Sequence, residues 1–174
     1  LRRGSLVVVM STVGIGVTQG LIKEVLENTS GFRVGTDFGL AYSPIRVLNG
    51  QTLETLADRE RIVAATDINS LNAASTILGT FTKGCLKKTE CVKTAEAVTL
   101  FEAVQQDVNV ALANEFALFC EKAGLDYLEV CKLMSNGACD VGSSPTLAEN
   151  LREEAYLLLE EAENINTKLR ISTI

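Results

Sequence analysis

The sequence predicts an α/β protein in which a partial parallel sheet is followed by an all-helical region built on one long central helix. In the first half, short β-rich runs alternate with turns and helical periodicity, as in sheets whose strands are joined by crossover helices. The second half contains a segment from Thr94 to Ala123 with neither proline nor glycine. A helix of this length would measure roughly 45 Å at 1.5 Å per residue. We therefore expect an α/β segment over residues 1–92 and a helical region over residues 93–174.

Three runs in the first half predict strands. Ser5 to Met10 has three consecutive valines at its centre, which is typical of a strand buried on both faces of a parallel sheet. Phe38 to Tyr42 is the next strand and stops before Pro44, and Arg61 to Ala65 is the third.

Helical periodicity fills the segments between and after these strands. Gln19 to Glu27 places apolar residues at helical spacing, and Asp67 is a suitable N-cap for a helix that runs to about Leu78 and stops at Gly79. Asp126 and Glu129 form a capping box for a short helix to Met134. Pro145 suits the first turn of a last helix, which the acidic stretch up to Glu163 continues.

The long helix carries an apolar stripe that we expect to be buried. Its members follow the i, i+3, i+4, i+7 spacing and are Ala97, Phe101, Val104, Val108, Ala111 and Leu112. Phe116, Leu118 and Phe119 widen this stripe near the end of the helix. The pattern predicts a helix that is buried on more than one side.

Composition excludes several classes of function. A net charge of −6 argues against nucleic-acid binding, and the absence of histidine removes histidine metal sites and histidine-activated nucleophiles. The longest apolar run, Leu6 to Met10, is too short to cross a membrane. The five cysteines form no C-x-x-C pair, so we expect reduced thiols, no metal and a cytoplasmic location. Cys139 is the only one weighed as a reactive thiol, and no basic neighbour in the sequence activates it.

The glycine-containing turn after the first strand permits two interpretations. Gly14 and Gly16, with Gly20 further on, are similar to a dinucleotide-binding loop. However, the acidic residue that should close the following strand is absent, because Asp37 precedes that strand. We interpret the glycines as a structural turn and keep the cofactor loop as the alternative.

The residues from Ala95 to Glu115 resemble the central helix of the UDP-glucose/GDP-mannose dehydrogenase family. The family pattern runs approximately AE-x-x-KL-x-EN-x-x-RDVN-x-AL-x-NE, and this sequence reads AEAVTLFEAVQQDVNVALANE. Two further segments resemble the family: SLVVVMSTVGIG resembles a late strand of its Rossmann domain, and AYSPIR resembles the following strand with its Y-S-P-E-R segment. The resemblance implies a partial Rossmann-like sheet and a central helix that forms a dimer.

The resemblance also shows which catalytic residues of the family are absent here. The catalytic Glu falls on Ile45, the Lys on Thr99, the Asn on Ala103 and the nucleophilic Cys on Glu149. We therefore expect this chain alone to be incompetent for the family's NAD-dependent oxidation of a sugar alcohol to an acid. Whether the chain is a segment or a divergent relative of such an enzyme stays open.

The resemblance implies three site residues in this sequence. Thr12 matches a Thr near the catalytic water, Ser11 and Thr12 would contact the cofactor, and Arg46 would contact the substrate. NAD is the implied cofactor, which we do not expect this chain alone to bind, and a homodimer through the helix from Thr94 to Ala123 is the implied assembly. The alternative function is a non-enzymatic structural or dimerisation protein built on the same helices.

Overall fold

The computed structural model describes residues 1–45, 57–134, 147–164 and 167, with residues 147–155 described through the backbone alone. These residues fall into two compact units, 1–100 and 101–174, whose boundary lies within the long helix. Arg46, Pro145 and Cys139, which the sequence singled out, lie outside the described residues.

The sheet of the first unit has four strands in the order β1-β2-β3-β4. They are β1 Leu6–Val9, β2 Gly39–Tyr42, β3 Arg61–Ala65 and β4 Leu86–Thr89. β1 pairs with β2 and β3 with β4 in parallel, whereas β2 and β3 run antiparallel. The predicted α/β class is confirmed, and the sheet is mostly rather than wholly parallel. Sequence analysis did not predict β4, because its residues LKKT contain a single large apolar side chain.

The helices follow the predicted order with shifted ends. They are α1 Lys23–Ser30, α2 Ile68–Gly79, α3 Val92–Ala123, α4 Tyr127–Leu133 and α5 Leu147–Asn164. A single π-helical turn, Thr18–Ile22, leads into α1. α3 begins at Val92, two residues before the predicted Thr94. The side chain of Asp126 accepts hydrogen bonds from the Leu128 and Glu129 N–H groups, so the predicted cap of α4 is confirmed.

The sheet of the first unit packs on both faces. On one face, α2 contributes Leu71, Ala74 and Leu78 to a cluster that also contains Ala41, Val63 and Ala65. On the other face, Val92 and Ala95 of α3 pack with Tyr42 and Ala64. The close approach of α2 requires glycine in β2, because a Cβ at Gly39 would lie 2.6 Å from Ser70 Oγ and 2.8 Å from Leu6 Cδ1.

Within a single chain, the buried face at the start of α3 differs from the predicted apolar stripe. The buried positions at the start of the helix are Val92, Ala95, Glu96, Thr99, Leu100 and Ala103. From the predicted stripe, Phe101 is 57% exposed and Leu112 is 42% exposed. Phe116, Leu118 and Phe119 are also exposed in the described part of the chain. Apolar residues lie all around this helix, so the sequence pattern does not determine which face packs on the sheet.

None of the helices in the described part of the chain is long and apolar enough to cross a membrane.

Asp67 is the predicted N-cap of α2, and its carboxylate is held by several donors. Ser70 donates its N–H at 2.9 Å and its hydroxyl at 2.6 Å, and the Thr66 hydroxyl donates at 3.3 Å. Burial raises the pKa of Asp67, but the hydrogen bonds from Ser70 and Thr66 outweigh burial and leave the pKa below its usual value.

We predict that Asp67→Ala lowers the free energy of unfolding by about 1 kcal/mol at neutral pH. Because the folded pKa is depressed, this stabilisation is present above the unfolded pKa and is lost as pH falls through the folded pKa. Urea titrations from neutral to acidic pH measure both effects. Asp67→Asn keeps a capping acceptor and should lose only the pH-dependent part. An unchanged urea midpoint for Asp67→Ala at neutral pH would contradict the prediction.

Candidate functional site at the carboxyl ends of β1 and β2

The parallel pairing of β1 and β2 brings two of the singled-out segments to one edge of the sheet. The N–H groups of Ser43 and Ile45 donate to the carbonyls of Val9 and Met10, each at 2.9 Å. Ser11 and Thr12 follow Met10 directly, with Ser11 exposed and Thr12 half-buried. The carboxyl edge of parallel strands is where α/β proteins bind ligands. The predicted cofactor residues therefore lie beside position 45, where the family's catalytic Glu would stand.

The turn after β1 is held by a buried carboxylate from α3. Glu96 Oε2 accepts a hydrogen bond from the Gly16 N–H at 2.6 Å, and Oε1 accepts from the Thr18 N–H at 2.9 Å. Glu96 is fully buried. The helical segment that begins at Thr18 has no capping side chain of its own. Glu96 therefore supplies the cap from α3, which is 78 residues away in the sequence.

Gly16 gives the turn its shape. Its φ of +88° lies in the left-handed region, which favours glycine. A Cβ there would only touch Lys93 Cε at 3.5 Å, so conformation rather than space requires the glycine. The Gly16 carbonyl then accepts from the Gly20 N–H at 2.8 Å, which starts the helical segment.

An open depression of about 520 Å³ lies on the outer side of this turn. Its lining residues are Ile15, Gly16, Val17, Gln19, Gly20, Leu21 and Lys93. Apart from the two glycines, the lining residues have aliphatic side chains except for the amide of Gln19 and the ammonium group of Lys93.

Two positions that carry catalytic residues in the family lie on the buried face of α3. Thr99 is 1% exposed, and its hydroxyl donates to the Ala95 carbonyl at 3.0 Å within the helix. Ala103 is fully buried and has no polar side-chain atom. Glu149, where the nucleophilic Cys would stand, lies in the part of α5 described through the backbone alone.

The cysteines depart from the sequence prediction in two ways. Cys131 is disulfide-bonded, contrary to the expectation of reduced thiols throughout. Cys85 and Cys91 are exposed free thiols, and Cys120 is a buried one.

The Thr94 side chain and the N–H groups of Thr94 and Lys93 lower the pKa of Cys91. Sequence analysis weighed Cys139 instead, although the position of Cys91 directly before a long helix was the available signal.

In the described ranges, no group of three or more histidine, cysteine or acidic side chains could hold a metal ion.

The fold of the chain is shared with a dehydrogenase of known structure. The UDP-glucose dehydrogenase of the hyperthermophilic archaeon Pyrobaculum islandicum superimposes with a TM-score of 0.75 over 98% of this chain and 40% of that chain. At 20% identity this likeness establishes the fold alone.

Sequence comparison then identifies the family. Residues 1–82 match the NAD binding domain of the UDP-glucose/GDP-mannose dehydrogenase family, and residues 93–171 match its central domain. The chain belongs to this family.

A UDP-N-acetyl-D-mannosamine dehydrogenase from Pyrococcus horikoshii is similar to nearly the whole chain. The two sequences are 34% identical over 175 residues, which is 99% of this chain and 41% of the relative. The structure of the P. horikoshii UDP-D-ManNAc dehydrogenase superimposes with a TM-score of 0.69 at 29% identity, over 97% of this chain and 47% of that chain. The chain thus spans less than half the length of these relatives.

The conformation of the turn yields a prediction at two neighbouring glycines. We expect Gly16→Ala to lower the free energy of unfolding by about 1–2 kcal/mol, because alanine is strained at positive φ. Gly20 lies in the helical turn, and a methyl group added there would meet no other atom within 4 Å. Gly20→Ala should therefore be neutral or stabilising by up to about 1 kcal/mol. Thermal and urea unfolding of both variants provide the comparison, and equal effects at the two positions would contradict this account of the turn.

Proposed function

We propose that this chain forms the later part of the NAD domain and the central helix of a nucleotide-sugar dehydrogenase of the UDP-N-acetylhexosamine type. We further propose that the 174-residue chain alone does not oxidise a sugar nucleotide. The proposed lack of activity is supported chiefly by Thr99, which occupies the position of the family's catalytic Lys. Thr99 is buried, and its hydroxyl is used by the helix itself.

The proposed loss of activity follows from the chemistry of the reaction. The family converts an alcohol to an acid in two hydride transfers by way of a thiohemiacetal, which requires a thiolate and groups that stabilise the developing oxyanion. Ile45 is apolar and cannot accept a proton. Ala103 cannot donate a hydrogen bond from its side chain. Loss of one such group typically costs about 3–4 kcal/mol of transition-state stabilisation, so combined losses would leave very little catalysis.

The proposed cofactor contacts follow β1 at the carboxyl edge of the sheet. Ser11 and Thr12, at the end of β1, are the proposed contacts for NAD, which accepts hydride in this family. Both carry hydroxyls, and Ser11 is exposed at the ligand-binding edge of the sheet. Arg46 is the proposed substrate contact, since it follows Ile45 directly and a guanidinium suits the phosphates of a sugar nucleotide.

The activity proposal is tested by an assay for NADH formation. We expect the purified chain to form no NADH from UDP-N-acetyl-D-mannosamine or UDP-glucose above a heat-inactivated sample. The P. horikoshii relative assayed in parallel is the positive control. NADH formation that rises in proportion to the concentration of this chain would overturn the proposal.

A second proposed function is self-association, which an apolar stripe on α3 supports. Phe101, Leu112, Phe116 and Phe119 recur at helical spacing, and they are between 39% and 67% exposed. Val108 lies on the same stripe and is half-buried. Pairing this stripe with a second copy would remove apolar area from water, at about 25 cal/mol per Å². A two-fold dimer is the simplest assembly in which this stripe is buried against the same stripe of a second copy.

We expect light scattering to give a dimer mass at tens of micromolar. Phe119→Glu should reduce the mass to that of the monomer while preserving helicity, because Phe119 is already 67% exposed within one chain. Asn114→Glu adds the same charge to an exposed polar position on the same helix and should leave the dimer intact. A monomer mass for the unmodified chain would contradict the proposal, and so would equal disruption by both variants.

A further inference from the structure

The turn after β1 has the features that normally attract an external anion. A strand, a glycine-containing turn and the start of a helical segment follow one another at Val9, Gly16 and Thr18. N–H groups at such a helix start point outward and carry partial positive charge, which is why phosphates bind there. The glycines of this turn also left a dinucleotide-binding loop as an alternative interpretation of the sequence.

In this chain the anion at the turn is already present and is part of the protein. The two oxygens of Glu96 each accept one N–H, from Gly16 at 2.6 Å and from Thr18 at 2.9 Å. Both distances are short, as is usual for hydrogen bonds to an ionised acceptor. The side chain is fully buried, so water does not compete for these donors.

We infer that the Glu96 carboxylate is the built-in acceptor of this turn and closes it to phosphate, so that no dinucleotide pyrophosphate binds there. A phosphate that approached these N–H groups would meet a buried negative charge within hydrogen-bond distance of the same donors. Displacing Glu96 would leave a buried carboxylate without its hydrogen bonds, which is strongly unfavourable. The residues of the turn therefore do not fit the phosphates of NAD, whose contacts belong to other residues.

The sequence alone cannot separate this arrangement from a cofactor loop, because both need glycines after a strand. The buried carboxylate distinguishes them, since a cofactor loop must keep its N–H groups available. Glu96 belongs to the AE pair that opens the helix motif of the family, yet its hydrogen bonds are made to the turn after β1, at the other end of the first unit's sequence.

The inference is tested first on the unmodified chain by nuclear magnetic resonance. Titration with inorganic pyrophosphate should leave the amide signals of Gly16 and Thr18 unshifted. Amide hydrogen exchange at both residues should be slow, because their N–H groups are hydrogen-bonded to a buried carboxylate. A saturable shift of these two signals would overturn the inference.

The second test removes the internal anion. Glu96→Ala should speed amide exchange at Gly16 and Thr18 by roughly tenfold or more, the effect expected when a charged hydrogen-bond acceptor is lost. Acetate, formate or phosphate should then raise the melting temperature of this variant and slow the exchange again, because each can occupy the vacated position. Glu24→Gln is the matched control, since it removes an exposed carboxylate from the first turn of α1. Its melting temperature should respond to the same anions as the unmodified chain does.

Each of these experiments has an outcome that would overturn the inference. A folded Glu96→Ala variant that shows no added response to anions relative to the control would overturn it. If Glu96→Ala does not fold, Glu96→Gln takes its place, because the amide is of equal size and accepts through only one oxygen. Unaltered exchange at both Gly16 and Thr18 in Glu96→Gln would also overturn it. No readout depends on catalysis, so a failure here is distinguishable from a failure of the proposed function.

Discussion

The burial of one carboxylate is the constraint on which the first unit depends. Glu96 lies on the same face of α3 as Val92 and Ala95, which pack on the sheet, so its position is set by apolar contacts. Once there, a buried charge must be satisfied by hydrogen bonds, and the N–H groups of Gly16 and Thr18 are its donors. The turn after β1 therefore keeps its conformation only when α3 is packed on the sheet, and Glu96 can stay buried only when the turn supplies its two donors. The contact joins residues 78 to 80 positions apart, so it closes late in folding if local structure forms first.

α3 consists of two parts that differ in burial. The part that begins at Val92 is a core element, since Thr99 and Leu100 are buried along with Glu96. The later part presents Leu112, Phe116 and Phe119 to solvent. A single helix thus combines a segment specified by intramolecular packing with a segment that has apolar side chains available for association. The positions that match catalytic residues of the family, Thr99 and Ala103, belong to the packed part, where small side chains fit.

Sequence patterns predicted the elements that depend on local interactions. β3 was predicted with its observed ends, and Asp67 caps α2 as expected because the cap is made by residues three positions apart. β4 was missed because an edge strand with Lys87 and Lys88 has no apolar alternation to detect. The face of α3 that packs on the sheet was not predicted, since apolar residues surround the helix and only the sheet decides which ones face it. The partner of Glu96 was not predictable, because helix periodicity marks a glutamate as a surface residue.

The contact between β2 and α2 has a consequence for how this chain can diverge. The hydrogen atom of Gly39 faces Ser70 and Leu6 at distances that no Cβ could occupy without movement of those side chains. Ser70 also donates two hydrogen bonds to Asp67, so it cannot move away freely. Positions 39 and 70 therefore cannot change size independently, and substitutions in contact are in general not additive. A larger residue at position 39 therefore requires a smaller residue at position 70 and a shift of the Leu6 side chain beforehand, which makes the order of substitutions as important as their identity.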